Sequence, residues 1–185
     1  MPMVLANASP LIALGKLNRL ELLAGLYHSI QITPAVYHEV VTQGLARGAS
    51  DALTVHLFWQ RYRWPVVEVP SAVLGTYAPH VRLDPGEYEL LALAQTLNDP
   101  LVLLDDEVAR TEARRLQLEV RGTLGILVQA FRAQLLTFDH VELLIQEIAA
   151  RPDIWISGKL CEQVRVSLRS QFPLPFSAQV CGACL

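Results

Sequence analysis

The sequence predicts an α/β fold built on a central parallel sheet, with more helix than strand. Three observations carry that prediction. Short apolar runs alternate with longer segments of helical spacing, the pattern of βαβ units. One local unit recurs: an apolar run ends, a polar residue and a proline follow, and a helix begins, at Ser9-Pro10, Thr33-Pro34 and Asp84-Pro85. The 185 residues are 52% hydrophobic and only 18% charged, which suits one domain with a large core and excludes a disordered chain.

Taken in order, Met3 to Ala6 is the first apolar run. A helix starts at Ser9-Pro10 with Leu11, Ile12, Leu14 and Leu17 on a wide apolar face, and a short second helix is expected over Leu20 to Leu26. Ile30 to Thr33 reads as a strand. Thr33-Pro34 opens a third helix with Val36, Tyr37, Val40 and Val41 inward and Glu39 on its flank. Ser50 to Arg63 is amphipathic, with Ser50 or Asp51 as cap and Leu53, Leu57, Phe58 and Tyr62 on one side. Val66 to Val69, bracketed by prolines, suits only a short edge strand, and the stretch from Ser71 to Arg82 is turn-rich. Asp84 and Pro85 start a helix whose inward stripe is Glu87, Leu90, Leu91, Ala94 and Leu97. Leu101 to Leu104 is short and apolar enough for a strand covered on both faces. Asp106 to Leu116 is helical, Leu118 to Val120 a strand, and Leu124 to Leu135 a helix. Asp139 is expected to cap the next helix, Ser157 the last, and Phe172 to Leu185 reads as a tail.

Composition and motifs exclude several functions. The net charge is −3 and no long basic run exists, so a broad cationic nucleic-acid face is ruled out. Glycine-rich dinucleotide and P-loop signatures, a G-x-S-x-G elbow and an HExxH zinc pair are all missing from the sequence. No apolar run approaches the ~20 residues that span a bilayer, and Met1 to Gly15 lacks the features of a signal peptide, so a cytoplasmic protein without a membrane partner is the expectation. Cys161 reads as a core residue. Cys181 and Cys184 form a lone CxxC without the second pair that a zinc site needs.

Carboxylates remain. In open parallel sheets, ligands bind beyond the carboxyl ends of the strands, and Asp105 and Asp106 stand where the Leu101 to Leu104 strand stops. Glu39, Glu87 and the strand-end Asn7 can join them. Acids converging from separate βα units can hold a hard cation such as Mg²⁺, which takes oxygen ligands and assists phosphodiester cleavage. Each residue also has a plainer reading. Glu87 can close a capping box with Asp84, Asp105 and Asp106 can begin the following helix, Glu39 can be a surface residue, and Asn7 can form a turn.

The ordered motifs N-A-S-P-L-I-A-L (Asn7 to Leu14), T-P-A-V-Y-H-E-V (Thr33 to Val40), D-P-G-E-Y-E-L-L-A-L-A (Asp84 to Ala94), L-V-L-L-D-D (Leu101 to Asp106) and G-T-L-G-I-L (Gly122 to Leu127) resemble the PIN-domain family. The resemblance is closest to a divergent prokaryotic branch with an S-P-L-I start and a G-T-L-G helix. It implies a Rossmann-like, three-layer α/β/α sandwich over residues 1–150, followed by a helix packed on it (151–171) and a tail (172–185). It implies metal-dependent cleavage of single-stranded RNA with Mg²⁺ or Mn²⁺, often by the VapC-like toxin of a toxin–antitoxin pair. The family's acids fall on Asn7, Glu39, Glu87 and either Asp105 or Asp106, and its serine or threonine on Ser9. Asn7 departs from the pattern, since an amide oxygen can coordinate a cation but brings no charge. The alternative function is a catalytically weak PIN-fold protein that binds RNA or a partner. For substrate contact, Arg110, Arg114, Arg115 and Thr123 can meet phosphates, although such a cluster is more often a solvated helix face and capping suffices for Thr123. Leu20, Leu22, Leu23 and Leu26 exceed one apolar stripe, which suggests a homodimer face or an antitoxin groove.

Overall fold

The computed structural model describes residues 3–172. Four strands, β1 (Val4–Ala6), β2 (Ile30–Gln31), β3 (Leu101–Leu103) and β4 (Glu119–Arg121), form one sheet in the order β2-β1-β3-β4, with every pairing parallel. Alternate side chains leave opposite faces of a strand, and the sheet builds two cores from that rule. Val4, Ala6, Leu101 and Leu103 enter one; Leu5, Val102 and Leu104 enter the other.

Helices cover both faces. Over the first face lie α1 (Ala8–Lys16), α2 (Glu21–Leu26), α3 (Pro34–Tyr37), α4 (Gly44–Ala46), α5 (Ser50–Tyr62), α9 (Thr123–Arg132), α10 (Phe138–Ala150) and α11 (Gly158–Gln171). Over the second lie α6 (Ser71–Thr76), α7 (Pro85–Ala94) and α8 (Glu107–Arg115). The result is the three-layer α/β/α arrangement. The chain runs from β1 to β2 on one side, then crosses to β3 on the other, so the direction of winding reverses between β1 and β3.

Several expectations shift. The edge strand at Val66 shrinks to a single bridge with Ile32, because Pro65 and Pro70 leave too few donors for a ladder. The turn-rich stretch after Ser71 contains α6. The cap before α10 is Thr137, which accepts the His140 N–H at 3.3 Å, rather than Asp139. Helix α5 buries Asp51, Ala52, Val55, Phe58 and Trp59, leaving Leu53 and Leu57 exposed and Ala49 in the capping position. Trp59 and Phe58 stack edge-on against Trp64, and that aromatic cluster turns the helix away from the expected stripe.

The third helix is interrupted as well. After one turn of α3 it widens into a π-turn over His38–Gln43 before continuing into α4. The apolar surplus on the second helix is internal: Leu20, Leu22 and Leu23 are buried and Leu26 is packed on the core, so these side chains form no open dimer face. Cys161 is buried and free. Cys181 and Cys184 lie outside the described residues. Among the described residues, no helix is long and apolar enough to cross a membrane.

Candidate functional site

The site grows out of the carboxyl ends of β1 and β3, where the winding reverses and open α/β sheets take their ligands. The Asn7 N–H donates to the Leu103 carbonyl at 2.9 Å, which carries the β1–β3 ladder one residue past the strand and holds Asn7 at the crossing. Asn7 stands at the N-cap of α1, yet its side chain caps nothing. Only 5% of the residue is exposed, and its Oδ1 is buried without a hydrogen-bond partner. A buried, unpaired oxygen is costly and calls for a functional reason. Ser9 Oγ, in the first turn of the same helix, is buried and unpartnered too.

Helix α7 brings the second component. Asp84 and Pro85 start it, and Gly86 presses its first turn against α3 and the π-turn. A Cβ on Gly86 would lie 3.2 Å from Val36 Cγ2, 3.3 Å from Glu39 Oε2 and 3.4 Å from Asn7 Oδ1. One small volume therefore gathers the first and second predicted site residues against the backbone of the helix that carries the third. Glu89 accepts the Ala35 N–H at 3.0 Å and pins α7 to the start of α3. Glu39 itself sits in the π-turn. Such turns recur at functional sites because the inserted residue re-aims the side chains around it.

The charges interact. Burial raises the Glu87 carboxyl to about 7, and the negative charges of Asp106, Asp84 and Glu39 add to the rise, against a backbone hydrogen bond from Asp84 that opposes it. That bond runs from the Asp84 N–H to Glu87 Oε2 at 3.0 Å, the arm of the expected capping box. Glu87 thus both caps α7 and joins the acidic group. Burial raises Glu39 as well, with Asp84 adding to the rise and Arg47 opposing it.

The Asp105–Asp106 doublet divides. Asp106 caps α8 by accepting the Ala109 N–H at 2.9 Å, and its charge reaches Glu87. Asp105 turns toward β4: its Oδ1 accepts the Thr123 N–H at 2.7 Å and its Oδ2 the Thr123 hydroxyl at 2.6 Å. Both carboxylate oxygens of Asp105 are therefore engaged by the start of α9. Gly122 is required there, since a Cβ would fall 2.7 Å from Asp105 Oδ1 and 2.9 Å from Arg110 Nη1. The G-T-L-G motif is thus the socket for Asp105.

This corrects the expected substrate set. Thr123 is fully buried with its N–H and hydroxyl both committed to Asp105, so it cannot meet a phosphate. Arg110 donates to the Leu104 carbonyl at 3.0 Å, and Arg115 pairs with the buried Glu112 at 2.7 Å. Arg114 pairs with Glu107 on the exposed face of α8. In the sequence Glu112 was visible only as a helix residue, and Gly86 and Gly122 stood within motifs that gave them no role without their neighbours in space.

The donor set around Gly86 is all oxygen, which suits a hard divalent cation rather than zinc. Among the described residues, no three His, Cys, Asp or Glu side chains stand close enough together to form a cage by themselves. Mg²⁺ does not need one, because it keeps several waters and takes one or two carboxylates. The unpaired Asn7 Oδ1 beside Glu39 Oε2 fits such a ligand. Two cavities lie elsewhere, one of about 840 Å³ that includes Val4 and Leu101 at the amino ends of the strands and one of about 500 Å³ between α9 and α11. Neither is lined by Asn7, Glu39, Glu87, Asp105 or Asp106. A family model described as a PIN domain matches residues 3–170. No curated protein matches the chain.

Proposed function

The chain belongs to the PIN-domain family, and we propose from that premise that it is a metal-dependent endoribonuclease that hydrolyses single-stranded RNA, acting as the toxin of a toxin–antitoxin pair. PIN domains generally use divalent metals, and the proposed ion is Mg²⁺ or Mn²⁺. The observation that carries the reading is the approach of Asn7 Oδ1 and Glu39 Oε2 to one point at Gly86, with Glu87 next in the chain and the charge of Asp106 reaching it.

Asn7 Oδ1, Glu39 and Glu87 would hold the ion, with Asp106 near it. A divalent ion there would supply Lewis-acid polarisation of the phosphodiester and neutralise charge on the leaving oxygen. The chain's own residues do the rest. Glu87 Oε2 is steadied by the Asp84 N–H, which leaves Oε1 to face the ion. Ser9 Oγ, unpartnered beside Asn7, is available to donate to a phosphate oxygen. Arg114 keeps a proposed phosphate contact, because its partner Glu107 is exposed and the pair exchanges readily with solvent. A protein antitoxin completes the proposal.

A second reading has its own support. Asn7 contributes no charge, and a carboxyl near 7 at Glu87 is neutral in part of the population at physiological pH. Both weaken cation binding and favour a catalytically weak PIN-fold protein that binds RNA or a partner. Purified protein incubated with single-stranded RNA, with Mn²⁺ or with chelator, separates the two. The nuclease reading expects Mn²⁺-dependent cleavage that Glu39→Gln abolishes and Asn7→Asp strengthens. Cleavage by Asn7→Asp alone would favour the second reading, and no cleavage by either protein would refute the first.

A further inference from the structure

We propose that Arg121 and the two cavities it separates bind nucleotides of an RNA strand, apart from the acids that would hold the ion. This rests on the ribonuclease reading above and adds to it a place where the substrate is held.

Arg121 ends β4, the strand at one edge of the sheet. Its carbonyl accepts the Leu104 N–H at 3.0 Å, and Gly122, next in the chain, leaves room for Asp105. The backbone of Arg121 therefore lies beside the candidate site. Its side chain runs the other way, to Tyr27 ahead of β2. Arg121 Nη1 donates to Tyr27 Oη at 3.3 Å and to Gln129 Oε1, and the Tyr27 hydroxyl donates to the same Gln129 oxygen at 2.8 Å. Tyr27 is buried, so a phenol and an amide fix the plane of the guanidinium. Gly125 gives that side chain its room, since a Cβ there would fall 2.9 Å from Arg121 Cγ. Nη2 has a looser partner, Glu119 at 2.8 Å, whose side chain is 63% exposed.

The fixed guanidinium is a wall of both cavities. The larger, of about 840 Å³, has the size of a ligand pocket, and the smaller, of about 500 Å³, shares Arg121 and Gln129 with it. Their chemistry suits a nucleotide. A planar guanidinium matches a phosphate, and one fixed cation matches the single charge of a phosphodiester better than the several charges of a free di- or triphosphate. Val4, Leu26, Leu97 and Leu101 give the larger cavity an apolar side for a base. Gln31 and Asn98 give it amides, which donate and accept as base edges require. Glu119 is the single acid on either lining, an exposed counterion that a phosphate can displace. The smaller cavity adds Arg132, which donates to Gln171 and pairs with no acid among the described residues. A strand crossing the β4 edge thus places one nucleotide on each side of Arg121. Such local arginines hold RNA without the broad cationic face that a net charge of −3 excludes.

The test is fluorescence anisotropy of a short labelled oligouridylate on the full chain, in chelator so that nothing is cleaved, with thermal melting run alongside. Arg121→Gln should weaken binding about tenfold, the loss of one charge-assisted contact, and lower the salt slope by about 0.7. Glu119→Gln should tighten binding about two- to fivefold by removing the competing carboxylate, an effect that a purely structural Arg121 would not produce. Glu119 is exposed, so this variant carries the test if Arg121→Gln melts early. The dinucleotide UpU should displace the probe at lower concentration than inorganic phosphate. Equal affinity and salt slope in wild type, Arg121→Gln and Glu119→Gln overturn the site, and Mn²⁺-dependent cleavage by the wild type then leaves the ribonuclease reading standing. Stronger displacement by inorganic phosphate, uridine monophosphate or an acidic peptide than by UpU overturns the assignment to an RNA strand. Absence of both RNA binding and cleavage in the wild type overturns the site and the ribonuclease reading together.

Discussion

Replacing Thr123 by valine separates an acid that holds the fold from one that holds a ligand. Thr123 is fully buried, and valine matches its shape while removing the hydroxyl that donates to Asp105 Oδ2 at 2.6 Å. The backbone N–H to Oδ1, at 2.7 Å, survives. The lost bond is to a carboxylate that burial already makes harder to ionise, and that the two Thr123 bonds help to keep charged. A hydrogen bond to a charged group contributes about 1.5–3 kcal/mol. For a chain of 185 residues at roughly 2–4 °C per kcal/mol, the melting temperature should fall by about 3–12 °C. Urea unfolding at pH 7 measures the same loss through the midpoint, with the m-value unchanged. The bonds favour the ionised carboxylate, so the loss should shrink as the pH falls and Asp105 takes up a proton. Mn²⁺ affinity should be unaffected. A loss below about 0.5 kcal/mol, or unchanged stability together with weakened Mn²⁺ binding, would refute the assignment of Asp105 to the fold.

Two further outcomes follow from buried carboxylates. Glu87 is raised from 4.5 to about 7 in the folded chain, so the folded state binds the extra proton, and stability in metal-free buffer should be highest below pH 4.5 as far as this group is concerned and decline as the pH rises through 7. Glu87→Gln should flatten that part of the melting curve between pH 5 and 8; a wild type and variant with parallel pH profiles would count against the shift. Glu112, 1% exposed, accepts from Tyr77 Oη at 3.3 Å and the His80 N–H at 3.4 Å while pairing with Arg115. Glu112→Ala should therefore cost about 2–3 kcal/mol in urea unfolding by leaving buried donors unmet, and a change within about 0.5 kcal/mol would show that the segment from Ser71 to Arg82 is held by other means.

Local rules in the sequence determined most of the architecture. Helix starts at Ser9-Pro10, Thr33-Pro34 and Asp84-Pro85, the apolar strand before the aspartate doublet, and the parallel α/β class all follow from caps, prolines and spacing. Those signals act over about four residues, and they are complete before the chain folds. The candidate residues were legible to the same depth: Asn7, Glu87 and the undivided Asp105–Asp106 doublet come from strand ends and helix starts, Glu39 from a helix flank and the family resemblance, and the sheet order brings the ends of β1 and β3 to one side.

The tertiary structure decided what local rules do not contain. The face that α5 buries was settled by Trp59 and Phe58 meeting Trp64, not by the periodicity that favoured Leu53 and Leu57. Which aspartate of the doublet serves the fold was settled by Thr123, 18 residues away, whose two donors reach Asp105 and not Asp106. Asn7 and Glu39 meet only where Gly86 lets α7 approach them both. In each case the deciding contact joins residues far apart in the chain. A carboxylate's role depends on which donors and charges surround it in space, and spacing along the chain carries no record of them.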